Sequence, residues 1–343
     1  QGRRPRFRTD PPVGFFDPRL QLQASDRLKT MLLLVDAGLE SLIQSEVENG
    51  ACQVAELCGT VLLAGGKRLR PLLILLAHEI AGGSDDDDIM PLALAFELIH
   101  TATLVHDDIN DEAAQRRGVE TIHTRVGIPK AVIAGDWLFV QGFGLGGIYE
   151  EHIVRIMAQC CANIAVSEFD QLDHVLNLAT SPEDYLSIVR GKTAGPFSAG
   201  CHAAGLVAGL SQDQASALQR FGMELGIAFQ LVDDLLDLRG DERMGKPRGA
   251  DVIEGKMTLP LIHALTLSHG EERHRLAHII ENFHDGLFDE LMSLLNYSQS
   301  LQYAEILVRT HLERAINELD TFPDSDAKSL MLHITEYVMN RHL

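Results

Sequence analysis

Two stretches of the chain concentrate carboxylates inside otherwise apolar runs: Asp107-Asp108-Ile109-Asn110-Asp111 and Asp233-Asp234-Leu235-Leu236-Asp237. Unpaired carboxylates are expensive to desolvate, so this placement calls for a cationic partner. On a helix, i,i+4 spacing sets Asp107 beside Asp111, and Asp233 beside Asp237. Hard oxygen donors of this kind suit Mg²⁺ shared with the phosphate oxygens of a substrate. One such motif is equally well an exposed helix face. Two of them, about 126 residues apart, are far more specific.

The cations carry an independent signal. Only seven lysines occur, and four of them, Lys67, Lys192, Lys246 and Lys256, directly follow glycine. A Gly-Lys pair places a point charge beside backbone that an anion can approach closely. Lysines at ordinary helix C-termini would account for one or two of these pairs, not four. Gly65-Gly66-Lys67-Arg68-Leu69-Arg70-Pro71 and Arg116-Arg117-Gly118 add compact cationic clusters. Metal-type carboxylates together with such cations point to a diphosphate.

Other patterns lead elsewhere and fail on context. Gly142 to Gly147 fits a dinucleotide-binding glycine pattern, but its flanks read as helix and no parallel-sheet pattern follows. Close helix packing is the better account of those glycines. Gly240 to Lys246 fits most of a phosphate loop, yet Pro247 stands where a metal-holding hydroxyl is needed. Asp85 to Asp88 reads as a solvated loop that caps the next helix.

The elements that must position these residues are helical almost throughout. Apolar residues recur at three- and four-residue spacing in 27–47, from Pro71 onward, and in 91–113, 131–148, 150–178, 182–207 and 211–238. The pattern continues in 257–268, 271–282, 285–296, 300–318 and 325–341. Regularly alternating strands are missing, so the fold class is all-α. Gly195-Pro196 should kink the helix that carries Lys192. The expected organisation is a tail over 1–24 and one helical domain over 25–343.

The 343 residues carry 29 basic and 49 acidic side chains, a formal charge of −20. That balance disfavours nucleic acid and anionic membranes as partners. Five cysteines without a Cys-x-x-Cys pair argue against a disulfide framework and for a reducing compartment. No apolar run approaches the roughly 18 residues of a spanning helix, so a cytoplasmic protein with no transmembrane segment is expected.

Taken together, the motifs resemble those of the trans-isoprenyl diphosphate synthases of the polyprenyl synthetase family. The resemblance rests on Gly65–Pro71, His100 ahead of Asp107–Asp111, Arg116-Arg117-Gly118, Gly191-Lys192-Thr193, Phe229-Gln230 before Asp233–Asp237, Gly245-Lys246, and Gly255-Lys256-Met257-Thr258-Leu259-Pro260. It implies a single-domain helical bundle around a deep central cavity, usually a homodimer. It also implies Mg²⁺-dependent 1′–4 condensation of isopentenyl diphosphate with an allylic diphosphate. Lys67, Arg70, His100 and Arg117 would bind isopentenyl diphosphate. Arg116, Lys192, Thr193, Gln230 and Lys256, assisted by Lys246, would hold the allylic diphosphate. Asp107 and Asp111 would bind two magnesium ions and Asp233 a third, with Mn²⁺ as a possible substitute; Asp108, Asp234 and Asp237 would support or join them. The released pyrophosphate is the implied proton acceptor.

In that family, bulky residues four or five positions before the first aspartate stop chain growth. Here those positions hold Thr103 and Ala102, with Ile99 and Phe96 further up the helix. The expected product is therefore an all-trans polyprenyl diphosphate longer than twenty carbons, and Ala102→Phe is expected to shorten it. A geranylgeranyl or farnesyl diphosphate synthase is the nearer alternative. A class I terpene cyclase would not need the Lys67, Arg70 and His100 set, and a non-catalytic regulatory subunit would typically have lost aspartates.

Overall fold

The computed structural model describes residues 18–240 and 247–340, with side chains from residue 26 onward. Sixteen α-helices account for most of this. The first four are α1 (Pro18–Glu48), α2 (Cys52–Leu62), α3 (Leu69–Ile80) and α4 (Asp86–Asn110). A two-stranded antiparallel hairpin, β1 (Gln115–Arg116) and β2 (Val119–Glu120), follows. Next come α5 (Ile122–Val126), α6 (Ile128–Gly146), α7 (Glu151–Asp173) and α8 (Pro182–Val189). A π-helical turn over Arg190–Ala194 leads into α9 (Gly195–Val207) and α10 (Gln212–Arg239). The chain closes with α11 (Ala250–Ile253), α12 (Leu259–Leu267), α13 (Gly270–Glu281), α14 (Phe288–Tyr297), α15 (Ser300–Leu319) and α16 (Asp326–Asn340).

The all-α reading holds, with local departures. α1 begins at Pro18, inside the stretch expected to be tail, and proline suits a first helical turn. α7 ends at Asp173 rather than running to 178. The hairpin has strands too short to show alternation; Arg117 and Gly118 at its tip both have positive φ, the conformation a two-residue hairpin turn requires. Where a kink is expected at Gly195-Pro196, the chain makes a π turn just before it. Pro196 has no N–H to close the ordinary helical bond.

α4 and α10 are the central helices because apolar residues surround them on nearly every side. α4 packs along α6, α3 and α9, while α10 packs along α9, α15 and the π turn. Asp85 caps α4 by accepting from the Asp87 N–H at 2.9 Å, as its composition suggested. α4 is long and apolar enough to cross a bilayer, but 67% of the relevant window is buried against its neighbours. Gly142 and Gly146 lie in α6 and serve packing: a Cβ on Gly142 would stand 3.0 Å from Ile99 and 3.1 Å from the Ala95 carbonyl, and one on Gly146 2.3 Å from Met157, whereas Gly144 faces open space.

Candidate active site

Both aspartate motifs lie toward helix C-termini, α4 for Asp107–Asp111 and α10 for Asp233–Asp237. That is the negative end of each macrodipole, where a carboxylate raises the local negative potential further. Cations answer it. Lys192 Nζ lies 3.4 Å from Asp107 and 2.5 Å from Glu168 on α7, and donates to Gln171 at 2.9 Å. Lys256 Nζ lies 3.2 Å from Asp111, 2.6 Å from Glu254 and 4.0 Å from Asp251. The Asp251 N–H donates to both Asp237 oxygens, at 3.2 and 3.3 Å. A continuous chain of charge therefore runs from the end of α4, through Lys256, to the second motif. Carboxylates about 126 residues apart in sequence share one mouth of the bundle.

The inner aspartates are held differently. Asp108 is buried and takes a fork from Arg116, whose Nε and Nη2 donate at 2.6–3.0 Å. Asp234 is buried, accepting from the Tyr185 hydroxyl and, at 2.9 Å, from Gln230. Thr193 donates to the other end of the same Gln230 amide at 2.9 Å. Arg116, Thr193 and Gln230, expected on the allylic diphosphate, are thus already engaged with the protein's own groups, because a buried polar atom must find a partner before substrate arrives. With no substrate present, these bonds fix the two inner carboxylates and the π turn. Desolvation, then the Asp251 charge, holds the Asp234 pKa well above the usual carboxylate range.

The second cationic group sits where α2, α3 and α4 meet. Arg70 stacks over Phe197, with its guanidinium carbon 4.6 Å from the ring centroid. Its buried Nε has no hydrogen-bond partner, and burial pushes its pKa down to about 10. Arg117 packs against the glycine turn so closely that a Cβ on Gly66 would stand 2.9 Å from Nη2. His100 is held neutral, its pKa driven well below the ordinary value by burial and then by Arg70, Arg117, Arg116 and Arg68. Lys67 is exposed, 5.8 Å over the ring of Tyr337 on α16.

Sequence reasoning missed Glu97, Glu168, Gln171, Tyr185, Asp251 and Glu254, and named Arg68 only as a member of the cationic cluster. Asp251 and Glu254 were findable as acids within a helical turn or so of Lys256, and Glu97 as the acid three residues before His100; Glu168, Gln171 and Tyr185 meet the site only through packing. Lys246 lies outside the described residues. Among the described residues, no three His, Cys, Asp or Glu side chains are already gathered as a metal cluster. The donor chemistry nevertheless fits a divalent cation, since hard carboxylates stand at negative helix ends with lysines beside them.

Comparison with known proteins matches residues 52–295 to the polyprenyl synthetase family. The chain is 34% identical over 288 residues to a short chain isoprenyl diphosphate synthase of Methanothermobacter thermautotrophicus, covering 82% of this chain and 88% of the relative. It is 31% identical over 311 residues to the octaprenyl diphosphate synthase of Escherichia coli, covering 89% and 95%. The solved structure of a decaprenyl diphosphate synthase from Rhodobacter capsulatus superposes with a TM-score of 0.85 at 36% identity, covering 93% of this chain and 99% of that one. A polyprenyl synthase from Caulobacter crescentus, complexed with calcium and isoprenyl diphosphate, gives 0.85 at 34% identity over 93% and 98%. The chain belongs to the polyprenyl synthetase family and is a prenyltransferase of the trans-prenyl diphosphate synthase class.

Proposed function

We propose that the chain joins isopentenyl diphosphate to an allylic diphosphate and builds an all-trans product longer than twenty carbons. The observation that carries this reading is the set of bridges from Lys192 to Asp107, from Lys256 to Asp111 and Asp251, and from the Asp251 N–H to Asp237. They support a single mouth at which both motifs and two Gly-Lys lysines serve one leaving group. Asp107, Asp111, Asp233 and Asp237 are the residues to hold Mg²⁺, which when bound would stabilise the charge developing on that leaving group. Lys192 and Lys256 stand beside the same carboxylates, within reach of the allylic diphosphate.

Arg70, Arg117, His100 and Lys67 form the separate cationic set for isopentenyl diphosphate. The orphan Arg70 Nε and the neutral imidazole of His100 offer hydrogen bonds there, while the arginines supply the charge. With both substrates seated, the allylic C–O bond breaks and its electron pair leaves on diphosphate. The isopentenyl double bond attacks the allylic cation, forming the new C–C bond. Loss of a proton to the released pyrophosphate completes the condensation. The step calls for apolar walls that exclude water, which would quench the cation.

Two broader assignments belong with this reading. α6 and α7 present Ile133, Val140, Val166 and Phe169 to solvent, an apolar face suited to a second copy of the chain. Free thiols at all five cysteines agree with a reducing, cytoplasmic setting. The deciding experiment is transfer of labelled isopentenyl diphosphate onto an allylic primer with Mg²⁺, resolved by product length.

A further inference from the structure

Arg68 separates Lys67 from Leu69 and Arg70, yet it does not face solvent as Lys67 does. It occupies the left-handed region, with φ of 50°, as the residue before α3. A non-glycine residue in that conformation needs its surroundings to hold it there. Those surroundings come from three other elements. Nη1 donates to Glu97 on α4 at 3.0 Å, and Nε to Asp36 on α1 at 2.8 Å. Nη2 donates to the Leu62 carbonyl at the end of α2, at 2.6 Å. Arg68 and Glu97 side chains are 1% and 2% exposed.

Burying such a pair is rarely a gain in stability over an apolar pair of similar volume. Its geometry has another consequence. Glu97 lies one helical turn before His100, and its charge also acts on Arg70 and Arg117. The fork of Arg68 therefore ties the Gly65–Arg70 turn to the helix that carries His100 and Asp107. Loosening Arg68 would free the turn that sets Lys67 on one side of the pinned residue and Arg70 on the other.

We infer that Arg68 is a positioning residue for isopentenyl diphosphate: pinned by Glu97, it locks the left-handed turn that presents Lys67 and Arg70 to the substrate. This rests on the assignment of Lys67, Arg70 and His100 given above. Two variants test it. Arg68→Lys keeps the charge and loses the fork. The pair Arg68→Met with Glu97→Met removes both charges and keeps an apolar filling, so its thermal stability should stay close to that of the parent. In both, KM for isopentenyl diphosphate is expected to rise about tenfold, with the allylic KM unchanged and kcat within about threefold, because displaced binding groups lose their alignment.

A purely structural role predicts the reverse: restored stability in the double variant would restore KM as well, and that result overturns the inference. If the double variant does not fold, Arg68→Lys decides alone, and an unchanged KM there is equally fatal. Lys67→Ala separates the two layers of argument. If it raises KM for isopentenyl diphosphate while Arg68→Lys does not, the positioning role fails and the site assignment stands. If Lys67→Ala also leaves that KM unchanged, the site assignment itself fails.

Discussion

His100 is surrounded by Arg68, Arg70, Arg116 and Arg117, and every one of those charges opposes its protonation. Burial and these charges favour the neutral imidazole, which still has one N–H to donate. The account predicts that KM for isopentenyl diphosphate stays level between about pH 7 and pH 9, where an imidazolium ligand would lose its proton and its affinity. A KM that climbs with pH in that window contradicts a neutral His100. The same depression sets the sign of a stability effect. The unfolded chain binds a proton that the fold refuses, so stability is lost as pH falls from the ordinary value of 6.5 toward the lowered folded one. Residue types and spacing exposed the aspartates, the Gly-Lys lysines and His100 because their local context is abnormal. Glu168, Gln171 and Tyr185 stayed hidden, since each looks like an ordinary helical residue until α7 and α8 pack beside the π turn.

At the scale of elements, α4 decides which chain-length candidates face the reaction. Phe96, His100 and Asp107 share one stripe, with Thr103 about 40° from Asp107. Ala102 lies about 140° away, on the stripe of Ile99 and His106 that meets Gly142 and Gly135 of α6. Thr103 thus lies closer to the Asp107 face than Ala102, and both remain candidates for ending chain growth. Thr103→Phe should shift products toward fewer isoprene units with the fold intact. Ala102→Phe should shorten products too, and should also lower stability by about 1–3 kcal/mol through overpacking in the buried interior. Melting curves and chromatography of products distinguish them; unchanged lengths in Thr103→Phe would place the floor elsewhere. Helical periodicity exposed α4, α6, α7 and α10, and Gly195-Pro196 marked an irregularity beside the π turn, but neither the π geometry nor the hairpin at 115–120 registered. Both depend on one or two residues, Pro196 in the first case and the Arg117-Gly118 turn in the second. Gly191 shows how tight the former is: a Cβ there would lie 1.9 Å from Ser167 Oγ.

For the whole molecule, net charge describes the solvated shell and not the mouth of the bundle. The −20 balance disfavours an anionic ligand on average, while four of seven lysines follow glycine at motif positions and two of them are seen beside the aspartates. The fold class was legible because helical periodicity is nearly continuous. The convergence of α4, α10 and the Lys256 loop was not, because it depends on how helices pack and not on any one segment. The exposed apolar face of α6 and α7 predicts a dimer in solution, with Val140→Asp shifting it toward monomer; a parent chain that sediments as a monomer at micromolar concentration contradicts that assembly.

The most direct measurement is condensation itself. Supplied with labelled isopentenyl diphosphate, farnesyl or geranylgeranyl diphosphate and Mg²⁺, the protein should release all-trans polyprenyl diphosphates beyond twenty carbons, and chelation of the metal should stop it. Failure to incorporate isopentenyl units onto any allylic primer, under conditions where the protein is folded, would contradict the account at its centre.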